Sequence, residues 1–187
     1  ANGTVKVAAP GTYHLTYDFT DAAGNVAAQV TRTVTVLDQS TPVITLLGDA
    51  NVTHVAGASY VDAGATWTDL VDGNGTVDAN GSVIADAPGT YHLTYDFTDA
   101  AGNVATQVTR TVTVVDVTGP VITLLGDASV THVAGASYAD AGATWTDLVD
   151  GNGTVDANGT VKVAAPGTYH LTFDFTDAAG NAATQVT

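Results

Sequence analysis

GTYHLTYDFTDAAGNVATQVTRTVTVVD, residues 89–116, is the stretch that decides the fold. In it Tyr91, Leu93, Tyr95 and Phe97 alternate with His92, Thr94, Asp96 and Thr98. A period of two puts the apolar set on one face and the polar set on the other, which predicts a half-buried strand with its aromatic face inward. The pattern returns after the turn-forming DAAGN at 99–103: Val112 and Val114 share one face, Thr111 and Thr113 the other. Arg110 falls on the valine parity, and a charge there predicts a bulge or a strand end.

Outward from this pair, residues 43–47, 52–55, 65–68 and 83–85 are further strand candidates, separated by Gly, Asn and Asp clusters that mark turns. Roughly seven short strands rich in Val and Thr predict an all-β, antiparallel β-sandwich of the immunoglobulin type. All nineteen acidic residues are Asp and none is Glu. Asp favours turns and Glu favours helices, so the acidic composition argues against helix throughout.

The sequence repeats. PVITLLGDA begins at Pro42 and again at Pro120, 78 residues on, and YDFTDAAGN at Tyr17 and Tyr95 returns as FDFTDAAGN at Phe173. Residues 42–109 and 120–187 differ at eight of 68 positions, among them Ile84/Lys162, Tyr95/Phe173 and Val104/Ala182. Exchange of Ile for Lys at one position fits an outward side chain. A 78-residue period suits a small domain better than a solenoid turn. The expected organisation is tandem: 1–38 as the C-terminal half of one repeat, 39–116 as a complete repeat, and 117–187 as a repeat lacking its last strand, a window on a longer array. The short junctions LDQSTP (37–42) and VDVTGP (115–120) predict a semi-rigid rod.

Composition narrows the function. Four basic residues against nineteen acidic ones make nucleic acid an unfavourable partner. No run approaches the roughly 20 apolar residues of a membrane helix, so no membrane insertion of this segment is expected. With no cysteine, neither disulfides nor thiolate chemistry is available.

PVITLLGD, YVDAGATWTDLVDG and APGTYHLTYDFTDAAGNVATQVTRTVTV together resemble the bacterial surface-protein Ig-like repeats related to the hyalin repeat, and the resemblance spans essentially the whole chain. It implies a stalk or adhesive-fibre module on a secreted or cell-surface protein, without catalysis. It also implies a tyrosine corner at Tyr91 and Tyr169, and core positions for Trp67 and Trp145.

In such a fold the loops 69–75 and 99–103 lie at one end of the sandwich, where the linker carrying Asp38 arrives. Asp38, Asp69, Asp72, Asp99 and Asn103 would then converge at one junction, and Asp116, Asp147, Asp150, Asp177 and Asn181 at the next. Converging carboxylates repel unless a cation joins them, and calcium takes six to eight oxygens of these types, which makes it the expected cofactor. Set against this, each Asp can simply cap its own turn. Asp72-Gly-Asn74-Gly-Thr76-Val-Asp78 also spaces oxygens as an EF-hand loop does, but it lacks that loop's sixth-position Gly and twelfth-position Glu. His14, His92 and His170 are one position repeated, as are His54 and His132, without metal-ligand spacing. The expected role is an extracellular spacer whose partners are its neighbouring repeats. Self-association into fibres, or binding of a glycan or a host surface, is the alternative.

Overall fold

The computed structural model describes all 187 residues, as eleven strands and no helix. No helix is therefore long and apolar enough to cross a membrane. The strands are β1 Gly11–Tyr17, β2 Val30–Val36, β3 Val43–Leu46, β4 Asn51–Val55, β5 Ala65–Asp69, β6 Gly73–Val77, β7 Gly89–Tyr95, β8 Val108–Val115, β9 Val121–Leu124, β10 Ala143–Asp147 and β11 Gly151–Val155. They form a β1-β2 hairpin and three three-stranded sheets ordered β3-β5-β6, β4-β8-β7 and β11-β10-β9. β1 and β2, β3 and β5, β5 and β6, β9 and β10, and β10 and β11 pair antiparallel, whereas β4 and β8 run parallel from Asn51↔Thr111 to Val55↔Val115.

Two compact units result. The first comprises Ala1–Ala50, Asp62–Gly81 and His92–Arg110; the second comprises Asn51–Val61, Ser82–Tyr91 and Thr111–Thr187. Ile44, Ala65, Leu93, Tyr95 and Ala105 are buried in the first, and Ala56, Val112, Val114, Ile122, Ala143 and Phe173 in the second. The period-two faces of β7 and β8 point as their sequence predicts: Leu93 and Tyr95 are buried while His92 and Asp96 are exposed.

Each repeat carries the expected tyrosine corner. Tyr13, Tyr91 and Tyr169 donate their hydroxyls to the carbonyls of Ala9, Ala87 and Ala165 at 2.7, 2.9 and 2.8 Å. That bond pins the turn before β7, which is why residues 83–85 form no strand: Ala87 N–H instead closes a turn onto Ile84 O at 3.2 Å. Ile84 is exposed, as its exchange for Lys162 implies.

Two further expectations are corrected. Residues 73–77, read from sequence as part of a loop, are strand β6, paired with β5 from Ala65↔Val77 to Asp69↔Gly73. A strand rises about 3.3 Å per residue, so Asp72 and Asp78 lie far too distant to share one ion, and the EF-hand-like reading fails. Nor does Arg110 mark a bulge. It sits within β8 at 1% exposure, its guanidinium satisfied on every side. Nε donates to Asp49 O at 2.9 Å, Nη1 to Tyr95 Oη at 3.1 Å and to Asp62 Oδ1, and Nη2 to the carbonyls of Leu47 and Gly64.

β6 also explains its glycines. Trp67 on β5 stacks on Phe97 with ring centroids 4.0 Å apart, and Trp145 on β10 stacks on Phe175 at 4.1 Å. Gly75, the cross-strand partner of Trp67, lies under the indole, where a Cβ would meet Nε1 at 2.8 Å. Gly75→Ala is therefore expected to cost about 1–3 kcal/mol through overpacking. Urea unfolding read by the Trp67 emission checks it, in a chain whose second tryptophan is Trp145→Phe.

Candidate functional site

The first unit gathers Asp38, from the linker after β2, with Asp69 at the end of β5, Asp72 in the β5–β6 turn and Asp99 after β7. Their carboxylate oxygens all lie within 4.8 Å of one another. The second unit gathers Asp116, Asp150 and Asp177 in the same way.

Ordinary turn chemistry builds both clusters. Asp38 Oδ1 accepts Ser40 N–H at 3.0 Å and its hydroxyl at 2.5 Å; Asp116 Oδ1 accepts Thr118 N–H at 3.1 Å and its hydroxyl at 2.9 Å. Asp72 Oδ2 and Asp150 Oδ2 accept the N–H groups of Ala100 and Ala178, at 2.8 and 3.0 Å, tying the β5–β6 and β10–β11 turns to the neighbouring DAAGN loops. Asp99 and Asp177 are buried, and each takes two bonds from the asparagine four residues on: Asn103 N–H and Nδ2, both at 2.7 Å, and Asn181 N–H and Nδ2 at 2.7 and 2.9 Å. The asparagines thus hold the buried carboxylates in place, and Asn103 Nδ2 also approaches Asp38 O at 3.5 Å.

The two units differ at one position. Asp69 Oδ1 accepts Val71 and Asp72 N–H at 2.7 and 3.0 Å, and Asp147 Oδ1 accepts Val149 and Asp150 N–H at 2.8 and 3.0 Å. Asp69 belongs to its cluster; Asp147 lies outside the set of Asp116, Asp150 and Asp177.

Such bonds favour the charged form of Asp69, Asp99 and Asp177. Burial pushes the Asp99 and Asp177 carboxyls up, but the Asn103 and Asn181 side chains and the loop N–H groups outweigh it and hold both below the ordinary carboxylate range. The Asp72 and Val71 N–H groups hold Asp69 down against burial. Like charges this close repel by about 1 kcal/mol per pair in water and by about 4 at an effective dielectric near 20.

Three oxygens have no hydrogen-bond partner within the protein. Asp38 Oδ2, Asp69 Oδ2 and Asp116 Oδ2 are shielded from solvent and accept no hydrogen bond. Turn capping accounts for their Oδ1 atoms and leaves these unexplained. Two oxygens on opposite sides of a calcium ion stand about 4.6–5.2 Å apart, so the spacing and the all-oxygen donor set fit a hard divalent cation. The sequence pattern located the aspartates but not Ser40 and Thr118, whose Asp-x-Ser and Asp-x-Thr spacing is the signal that could have found them. The histidines lie elsewhere: His54 and His132 bond the carbonyls of Ala58 and Ala136.

Comparison with known proteins agrees with this architecture. The family described as bacterial surface protein, Ig-like domain, matches residues 1–36, 44–114 and 122–187. The chain belongs to this family. Its fold is accordingly all-β and Ig-like, its setting that of an extracellular or surface protein, and Ig-like surface domains are typically non-enzymatic. Hyalin of Strongylocentrotus purpuratus is 31% identical over 190 residues, covering 93% of this chain, which spans 16% of hyalin's length. A crystal structure of a lipoprotein from Bacteroides thetaiotaomicron aligns with 42% of this chain and 39% of its own at 27% identity and a TM-score of 0.36.

Proposed function

We propose that this chain is part of an extracellular spacer of a bacterial surface protein, in which calcium at the two acidic clusters stiffens the joints between successive Ig-like repeats. The observation that carries this reading is the set of buried, unpartnered carboxylate oxygens on the linker residues Asp38 and Asp116 and on Asp69. Asp38, Asp69, Asp72 and Asp99 would hold one ion, and Asp116, Asp150 and Asp177 the other. Each set joins a linker to two loops of the repeat that follows it. A cation there cancels repulsion among the carboxylates and fixes the linker to both loops, so chain direction is carried from one repeat to the next.

Small-angle scattering of the chain with calcium and with excess chelator tests the role. The expected result is a longer maximum dimension and a narrower range of fitted conformations with calcium. Superimposable profiles would reject calcium stiffening.

A further inference from the structure

The loop 147–150 touches two things at once. Asp150 belongs to the second cluster, and Leu148, two residues earlier, lies directly on the backbone of Gly57 in the preceding repeat: a Cβ built at Gly57 would fall 2.3 Å from Leu148 Cδ2. Gly57 has φ +86°, a conformation that also excludes most side chains, so the turn both needs glycine and offers a notch at that point. The notch is held from behind. Ala56 N–H donates to Val115 O at 2.9 Å, Gly57 N–H donates to Ala85 O at 3.2 Å, and the residue after Val115 is Asp116 of the cluster. A ring of contacts therefore closes: Asp116, Val115, Ala56, Gly57, Leu148, Asp150, and through the cluster back to Asp116.

We infer that Leu148 is a docking residue that seats the β10–β11 turn on the preceding repeat at Gly57, and that this seating holds Asp150 against Asp116 and so assembles the second cluster. The Asp147 cap makes the loop rigid enough to transmit this, since its Oδ1 fixes both Val149 and Asp150 N–H. Leu70 occupies the same position in the preceding copy, is 89% exposed against 61% for Leu148, and supplies an internal control. The inference deepens the cation reading above, but the docking half stands without any ion.

The test uses the whole chain, which has no cysteine of its own, with spin labels on Ser59→Cys and Asn152→Cys, both exposed. In chelator, Leu148→Ala should broaden the label distance distribution, and Leu70→Ala should leave it unchanged. An unchanged distribution in Leu148→Ala would overturn the docking. In calcium, Leu148→Ala should weaken binding at the second cluster about five-fold or more, the lower range of ordinary site coupling, while Leu70→Ala should not weaken it there. Equal affinities would overturn the coupling. If the unaltered chain binds no calcium, the cation reading and the coupling both fall, and the label distances in chelator still decide the docking.

Discussion

Replacing Arg110 with methionine is expected to destabilise the first unit by about 3 kcal/mol, the lower end of the usual cost of removing one partner from a buried ion pair, because Arg110 is buried while Asp62 is 21% exposed. The loss has identifiable parts. Asp62 would lose its cation, the carbonyls of Leu47, Asp49 and Gly64 would lose a donor, and Tyr95 Oη would lose the guanidinium at 3.1 Å. Methionine fills much of the volume, so the deficit reports the polar network more than a cavity. Arg110→Met/Asp62→Leu should recover part of the loss, because replacing both members of such a pair by apolar side chains is far less costly than orphaning one. Urea unfolding read by Trp67 in a Trp145→Phe background measures both variants. pH adds an independent check. Burial pushes the Asp62 carboxyl up, but hydrogen bonds from Tyr95, Arg110 and Gly64 N–H outweigh it and hold it below its ordinary value. A carboxyl depressed in the folded state contributes stability above its unfolded pKa of about 3.9 and loses it as pH falls toward the folded value. The unaltered chain should therefore lose more stability on acidification below about pH 4 than Arg110→Met does.

Calcium should raise the melting temperature by several degrees relative to excess chelator. At a free concentration 100 times Kd, one site contributes about 2.7 kcal/mol, and about 2–4 °C per kcal/mol is usual for chains of this size, which predicts about 5–10 °C. Asp38→Ala and Asp116→Ala should each remove the part of the shift belonging to their own unit, because each deletes an oxygen that accepts nothing else. In chelator the same variants should melt close to the unaltered chain, since losing one of several repelling charges is offset by losing the Oδ1 bonds to Ser40 and Thr118. Scanning calorimetry in both buffers reads all of these.

The parts of the fold legible in sequence are those where local pattern and tertiary burial agree. β7 and β8 alternate because one face packs closely and the other is more open, and the tyrosine corners that the family resemblance implied at Tyr91 and Tyr169 form, with Tyr13 making the same bond. β6 was hidden because GNGTV has turn composition; only its partner explains it, as Gly75 makes room for the Trp67 indole. Arg110 misled for a related reason. Period-two parity treats a charge on the inner face as a defect, whereas here the acceptors come from residues 46 to 63 positions distant in the chain, beyond any local rule. Asp38, Asp72 and Asp99, like Asp116, Asp150 and Asp177, could be named because the repeat places one Asp in each converging segment. Which oxygen of each is already used by a turn, and why Asp69 joins its cluster while Asp147 does not, depends on side-chain geometry that spacing does not encode.

Isothermal titration of calcium into the intact chain is the most direct test of the central claim, with Asp38→Asn, Asp116→Asn and the double variant alongside. The account predicts two binding sites in the unaltered chain, one in each single variant and none in the double. Heats of injection that match buffer in the unaltered chain, or that are indifferent to both substitutions, would contradict it.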